Sequence, residues 1–145
     1  MFNFLKSLFL TLRAKKGLGA EPNPLDIRDI QLSTFQAPIT LPYEYMTDIS
    51  MLPVTDQKSY GTCVGQAEGL VIALFDYLEN RNADVSRRFI YAKAKRQDGI
   101  PDSQGTYPRV AATVISKMGA TTGAFVKDDN TLPYDQYLNI PADFG

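Results

Sequence analysis

The sequence predicts a mainly α-helical domain built on three helices, and two observations carry that expectation. Apolar residues recur at three- and four-residue steps over three separate stretches from Cys63 onward. No stretch of comparable length shows the two-residue alternation of a half-buried strand.

The first helix opens at Cys63, with Val64, Ala67, Val71, Leu74 and Leu78 at helical spacing and Leu70 and Phe75 widening the stripe. It spans about four turns and ends at Asn80-Arg81-Asn82. Ser86 is placed to cap a second helix carrying Phe89, Ile90, Ala92 and Ala94, which Asp98-Gly99-Ile100-Pro101 stops. A third starts at Pro108, a residue suited to a first helical turn, and runs through Val110, Ala111, Val114, Ile115 and Met118 to Gly119. Beyond it the chain is turn-rich, with Leu132-Pro133-Tyr134 and Ile140-Pro141 suggesting a crossing segment.

Upstream of Cys63 the chain is different in kind. Residues 17–41 read as an extended strap or short pro-segment, because Glu21-Pro22-Asn23-Pro24 and Ala37-Pro38 break helices. Residues 1–16 place Phe2, Phe4, Leu5, Leu8, Phe9, Leu10 and Leu12 ahead of Arg13, Lys15 and Lys16. That is too short for a membrane span, which needs about 20 apolar residues, and its charges fall on the wrong side for a secretory signal. An amphipathic helix packed on its own protein is preferred over one lying on an anionic membrane surface. No clear targeting signal fixes localisation, with the cytoplasm or a virion slightly favoured.

Composition narrows the function classes. The 145 residues are 44% hydrophobic and 21% charged, the range of one globular domain. A net charge of -1 gives no electrostatic case for nucleic acid as a partner. There is one cysteine and no histidine. Within these residues that excludes a Ser-His-Asp triad, a Cys-His dyad, a His-ligated zinc and an internal disulfide. No residue pattern calls for a cofactor or a metal. Asp128-Asp129-Asn130 lacks the glycine and distal glutamate of a calcium loop and reads as a solvated turn, and Asp76 and Glu79 as a solvated helix face.

Cys63 is the residue with chemical potential. It follows a polar loop and opens a long helix, where unpaired N–H groups and the positive dipole end favour a thiolate. Gly61 removes bulk beside the sulfur, and Gln57 has an amide able to donate to a developing oxyanion. From position alone an inert packing thiol is the commoner fate of a single cysteine.

The segment Pro53-Val54-Thr55-Asp56-Gln57-Lys58-Ser59-Tyr60-Gly61-Thr62-Cys63-Val64 resembles the nucleophile motif of papain-like cysteine peptidases, with the Gln-to-Cys spacing intact. The likeness extends to Ser86-Arg87-Arg88-Phe89-Ile90-Tyr91, Gly105-Thr106-Tyr107-Pro108-Arg109, Met118-Gly119-Ala120 and Leu132-Pro133-Tyr134, in the order found in bacterial and phage-type members. Upstream, Pro24-Leu25-Asp26-Ile27-Arg28-Asp29 and Leu41-Pro42 look like the approach to the domain in those members. The resemblance implies an α+β papain-like fold, of which residues 42–145 supply the mainly helical left domain, truncated before the β-rich right domain.

Carried over residue by residue, it implies Cys63 as the nucleophile that forms a thioester acyl-enzyme on a peptide or protein substrate. Gln57 and the Cys63 N–H would make the oxyanion hole. Gly61 would line the cleft, Gly105 and Thr106 would offer backbone groups to an extended substrate, and Tyr107 would wall an adjacent pocket. For Gly105 a loop position with positive φ is an equal alternative, and for Tyr107 packing beneath the third helix is the commoner fate. Besides Thr62 for the usual serine, three departures stand out. Tyr60 replaces a disulfide cysteine, Lys58 replaces a glycine, and Val64 replaces a large aromatic residue. Lys58 either lies close enough to the sulfur to lower its pKa or, more commonly for a lysine, points into solvent.

In the family the catalytic histidine and asparagine lie about 130 to 150 residues after the nucleophile, which is beyond Gly145 here. The expectation is therefore a nucleophile-bearing half whose His and Asn are either supplied by a complementary chain or have been lost. The alternative is a non-catalytic binding or structural module that keeps the left-domain fold, and a third, subordinate idea is that Gly17 to Pro38 lies along the cleft as a short inhibitory segment.

Overall fold

A computed structural model describes residues 19–29, 50–52, 54–82 and 84–140. The expectations for residues 1–16, Ala37-Pro38, Leu41-Pro42, Pro53 and Pro141 lie outside the described residues. Four helices follow one another, α1 (Cys63–Leu78), α2 (Arg87–Lys95), α3 (Pro108–Met118) and α4 (Tyr134–Leu138). The first three match the sequence expectation at both ends. The short α4 was not expected, because five residues cannot display a helical period. No strand occurs among the described residues, where the β-type pairing is an isolated parallel bridge between Ala20 and Thr106.

Capping explains where the helices begin and end. Ser86 is extended (φ -75°, ψ 106°), and its hydroxyl accepts the Phe89 N–H at 3.1 Å. The remaining N-terminal donors of α2 go to Asp128, whose carboxylate accepts the Arg87 and Arg88 N–H groups at 3.2 and 2.7 Å. The Asp128 turn is therefore not simply solvated: an anion sits at the positive end of α2. Gly119 ends α3 at φ 74°, where a side chain would be strained.

α2 is the central element, packed on by the other three helices. Phe89, Ile90, Ala92 and Ala94 are buried with Ala73 of α1, Ala111 and Val114 of α3, and Val126 and Ile140 from the later loops. Arg88 ties α4 to this core. Its Nε donates to the Tyr137 carbonyl at 2.7 Å, and its Nη2 donates to the carbonyls of Gln136 and Asn139 at 2.7 and 3.0 Å. Those carbonyls lie at the C-terminal end of α4, where i+4 donors run out, and that of Gln136 also accepts the Asn139 N–H at 3.1 Å.

The face of α1 that meets α2 is not the stripe of large apolar residues. Gly65, Gly69 and Ala73 are buried, at four-residue steps. A Cβ on Gly65 would stand 2.8 Å from the Tyr91 Cβ, and one on Gly69 would stand 2.5 Å from the Arg87 Cγ. Small residues let α2 approach closely on this side. Of the larger ones, Val64 is buried and Ile72 and Leu74 pack against the core, while Leu70, Val71, Phe75 and Leu78 stay outside, exposed by 38, 48, 58 and 58%.

Candidate active site

Cys63 is the first residue of α1, half-buried, following a Thr62 that is fully enclosed. The loop leading to it is a tight turn in which the Gln57 carbonyl accepts the Tyr60 N–H at 3.3 Å. Lys58 takes a left-handed conformation in that turn, at φ 56°. Its backbone N–H is held by the Asp56 carboxylate at 3.0 Å. The ammonium group points outward, 3.9 Å from the same carboxylate with the side chain 63% exposed, as the solvent-facing reading expected. A glycine would adopt this conformation without the strain that a Cβ brings.

Gln57 and Cys63 line one cavity of about 400 Å³ together with Leu52, Val54, Gln66 and Ala67. Gln57 Nε2 donates to the Tyr60 carbonyl at 3.0 Å, which fixes the orientation of the amide. The Thr55 hydroxyl donates to Gln66 Oε1 at 2.6 Å and anchors the loop to α1. The thiol, a helix N-terminus and an amide donor therefore meet at one opening.

Gly61 is enclosed. Its N–H donates to Gln104 Oε1 at 3.3 Å, and a Cβ on Gly61 would lie 3.0 Å from the Gln104 backbone. Its carbonyl is covered by Gly19, which has no room for a side chain there. Gly105 has no positive φ, so the loop-conformation alternative does not hold. The Glu21 side chain lies against it instead, its Oε1 2.6 Å from where a Cβ would stand, so a side chain there would have to displace Glu21. Tyr107 is half-buried at the N-cap of α3.

The backbone groups of Thr106, expected to face substrate, are engaged by the strap. The Thr106 N–H donates to the Gly19 carbonyl at 2.8 Å, and the Glu21 N–H donates to the Thr106 carbonyl at 3.1 Å. Two side-chain anchors hold the strap down. Ser103 Oγ donates to Glu21 Oε1 at 2.7 Å, and Arg109 Nη2 donates to both oxygens of Asp29 at 2.5 and 2.7 Å. The Arg109 backbone N–H also reaches Asn23 Oδ1 at 3.1 Å. Strap residue Asp26 accepts from the Arg28 guanidinium at 2.6 and 2.9 Å, which holds its carboxyl well below the usual range.

Tyr60 ties the loop before α1 to the chain around α4. Its hydroxyl donates to the Leu132 carbonyl, and its ring lies 5.8 and 5.3 Å from those of Tyr134 and Tyr137. Tyr91 completes the cluster, 6.0 Å from Tyr137 and sharing a 2.8 Å hydroxyl contact with Tyr134. Burial, with the Tyr134 hydroxyl next in weight, pushes the Tyr91 phenol far above its ordinary value. Burial raises Tyr137 as well, aided by the Asp128 carboxylate. Nothing in the spacing of these tyrosines signalled the cluster, because its members come from three separate segments: the loop before α1, α2 and α4.

No family model and no curated protein sequence matches the chain. Among solved structures, the crystal structure of xylellain, a cysteine protease from Xylella fastidiosa, matches with a TM-score of 0.59 and 22% identity. The match covers 90% of this chain and 50% of that one, so the chain spans half the length of that protein. At this identity the likeness is one of fold, and the described residues have the helical left-domain architecture of the papain-like fold.

Proposed function

We propose that these residues form the nucleophile-bearing half of a papain-like cysteine peptidase, with the general base supplied from outside them. The observation that carries this reading is the meeting of Cys63, at the N-terminus of α1, and Gln57 in one cavity. The Cys63 thiolate attacks the scissile carbonyl carbon, and the resulting oxyanion is held by the Cys63 N–H and Gln57 Nε2. The C–N bond then breaks as the amine takes a proton from the complementary histidine, leaving a thioester on Cys63. Water, deprotonated by the same histidine, hydrolyses the thioester and restores the thiol.

The uncovered apolar face of α1, with Leu70, Val71, Phe75 and Leu78, supports a complementary β-rich part packing beside Cys63. The likeness to half of a cysteine protease chain supports the same reading. A second reading, a non-catalytic binding module, is favoured by the strap's hold on the Thr106 backbone.

The test is complementation. A His- and Asn-bearing β-rich half of this fold is fused or mixed with the chain, and Cys63 is probed with a peptidyl epoxide. Stoichiometric labelling of Cys63, lost when the added histidine is changed to alanine, is the expected result. A complex that forms without any labelling would exclude the catalytic reading and leave the binding module.

A further inference from the structure

A second cavity, about 270 Å³, opens at Cys63 and is lined by Ala20, Cys63, Val64, Ala67, Glu68 and Pro108. Its walls come from the strap, from α1 and from the first residue of α3. Glu68 is the one charged group among these lining residues. It is half-buried, no basic side chain of the described residues pairs with it, and burial raises its pKa. An unpaired carboxylate in apolar surroundings is unfavourable until a cation reaches it. A few polar groups in a mostly apolar cavity are what orient and select a ligand.

We propose that Glu68 is the specificity-determining residue of this cavity, which takes an alkyl chain ending in a cation: the lysine or arginine side chain of a peptide lying at Cys63. Such side chains bury their methylene stems on apolar walls while the charged end finds an anion, and here Val64, Ala67 and Pro108 offer the walls. A carboxylate-bearing side chain would meet like charge and be rejected. The identification of the ligand as a peptide substrate rests on the peptidase reading; the charge selection itself does not.

Because Cys63 lines the cavity, alkylation of its thiol reports on what enters, and no catalytic base is needed. The chain is treated with aminobutyl, pentyl and carboxypropyl iodoacetamide, each rate being divided by that of iodoacetamide and read by intact-mass spectrometry. In every case the thiolate sulfur bonds to the methylene carbon and iodide leaves. The aminobutyl reagent is expected to react about 2- to 5-fold faster than the pentyl one, the range of a partly exposed ion pair. Glu68→Gln is expected to abolish that preference and Glu68→Lys to turn it toward the carboxypropyl reagent. Glu79→Gln, which alters the carboxylate at the C-cap of α1 outside the cavity, should leave it unchanged. Equal aminobutyl and pentyl rates in the wild type, or a preference that survives Glu68→Gln, would overturn the assignment. Failure of the complementation test with the alkylation preference intact would instead remove the peptidase reading and leave a cation-selecting site.

Discussion

The Thr106 amide donates to the Gly19 carbonyl at 2.8 Å, so a residue far upstream of the nucleophile lies against the loop that leads into α3. Gly19 can do this because it has no side chain: a Cβ there would collide with the Gly61 carbonyl. The strap thereby covers Gly61 and Thr106 together, on the approach to Cys63.

Arg109 is the strap's main clamp, through its paired bonds to Asp29 and its backbone contact with Asn23. Arg109→Ala should weaken the strap's attachment by about 1 kcal/mol, given the partial exposure of the pair. Hydrogen exchange at the Thr106 and Glu21 amides should speed by about 5-fold, and high salt should partly mimic the substitution in the wild type. Unchanged exchange would mean that the backbone pairing holds the strap without Arg109.

Lys58 occupies a left-handed conformation at φ 56°, a geometry unfavourable by about 1–2 kcal/mol for a residue with a Cβ. Lys58→Gly is therefore expected to raise stability by about 0.5–1 kcal/mol after the greater flexibility of glycine in the unfolded chain is subtracted. The midpoint of urea unfolding should rise with no change in slope. A lower midpoint would show that the Asp56 contacts outweigh the backbone strain.

Glu68 has its pKa raised above the ordinary 4.5 by burial. Below that ordinary value both folded and unfolded chains carry the proton, and the group does not penalise folding. As pH rises, the unfolded chain ionises first, so folding stability falls until the folded carboxyl has ionised too. Glu68→Gln removes this loss. The variant should match the wild type in acid and exceed it at neutral pH by less than about 1 kcal/mol. Thermal midpoints of the two proteins across that range provide the check, and a wild type that is the more stable at neutral pH would contradict it.

Much of the fold was legible because it is local. Capping by Ser86, Pro108 at a first turn and Gly119 at a stop each depend on a few neighbouring residues, and each boundary is found where they place it. The packing of α1 was not legible. Its period marks both a large-residue stripe and a small-residue stripe, and only the approach of α2 selects Gly65, Gly69 and Ala73 for the inside. The same limit applies to Asp128, whose role as an anion at the α2 N-terminus spans about forty residues of chain. At the site, the motif marked Gln57 and Cys63, which share a cavity. Glu68 escaped notice because nothing in its sequence surroundings distinguishes it from a solvated helix residue.

The central claim is that Cys63 and Gln57 act together as nucleophile and oxyanion donor once a base is supplied. Peptide hydrolysis by the complemented chain measures this most directly. The account predicts no turnover with Cys63→Ala, and a loss of about 100-fold or more in kcat with Gln57→Ala. Hydrolysis that persists with Cys63→Ala, or that is indifferent to Gln57→Ala, would contradict it.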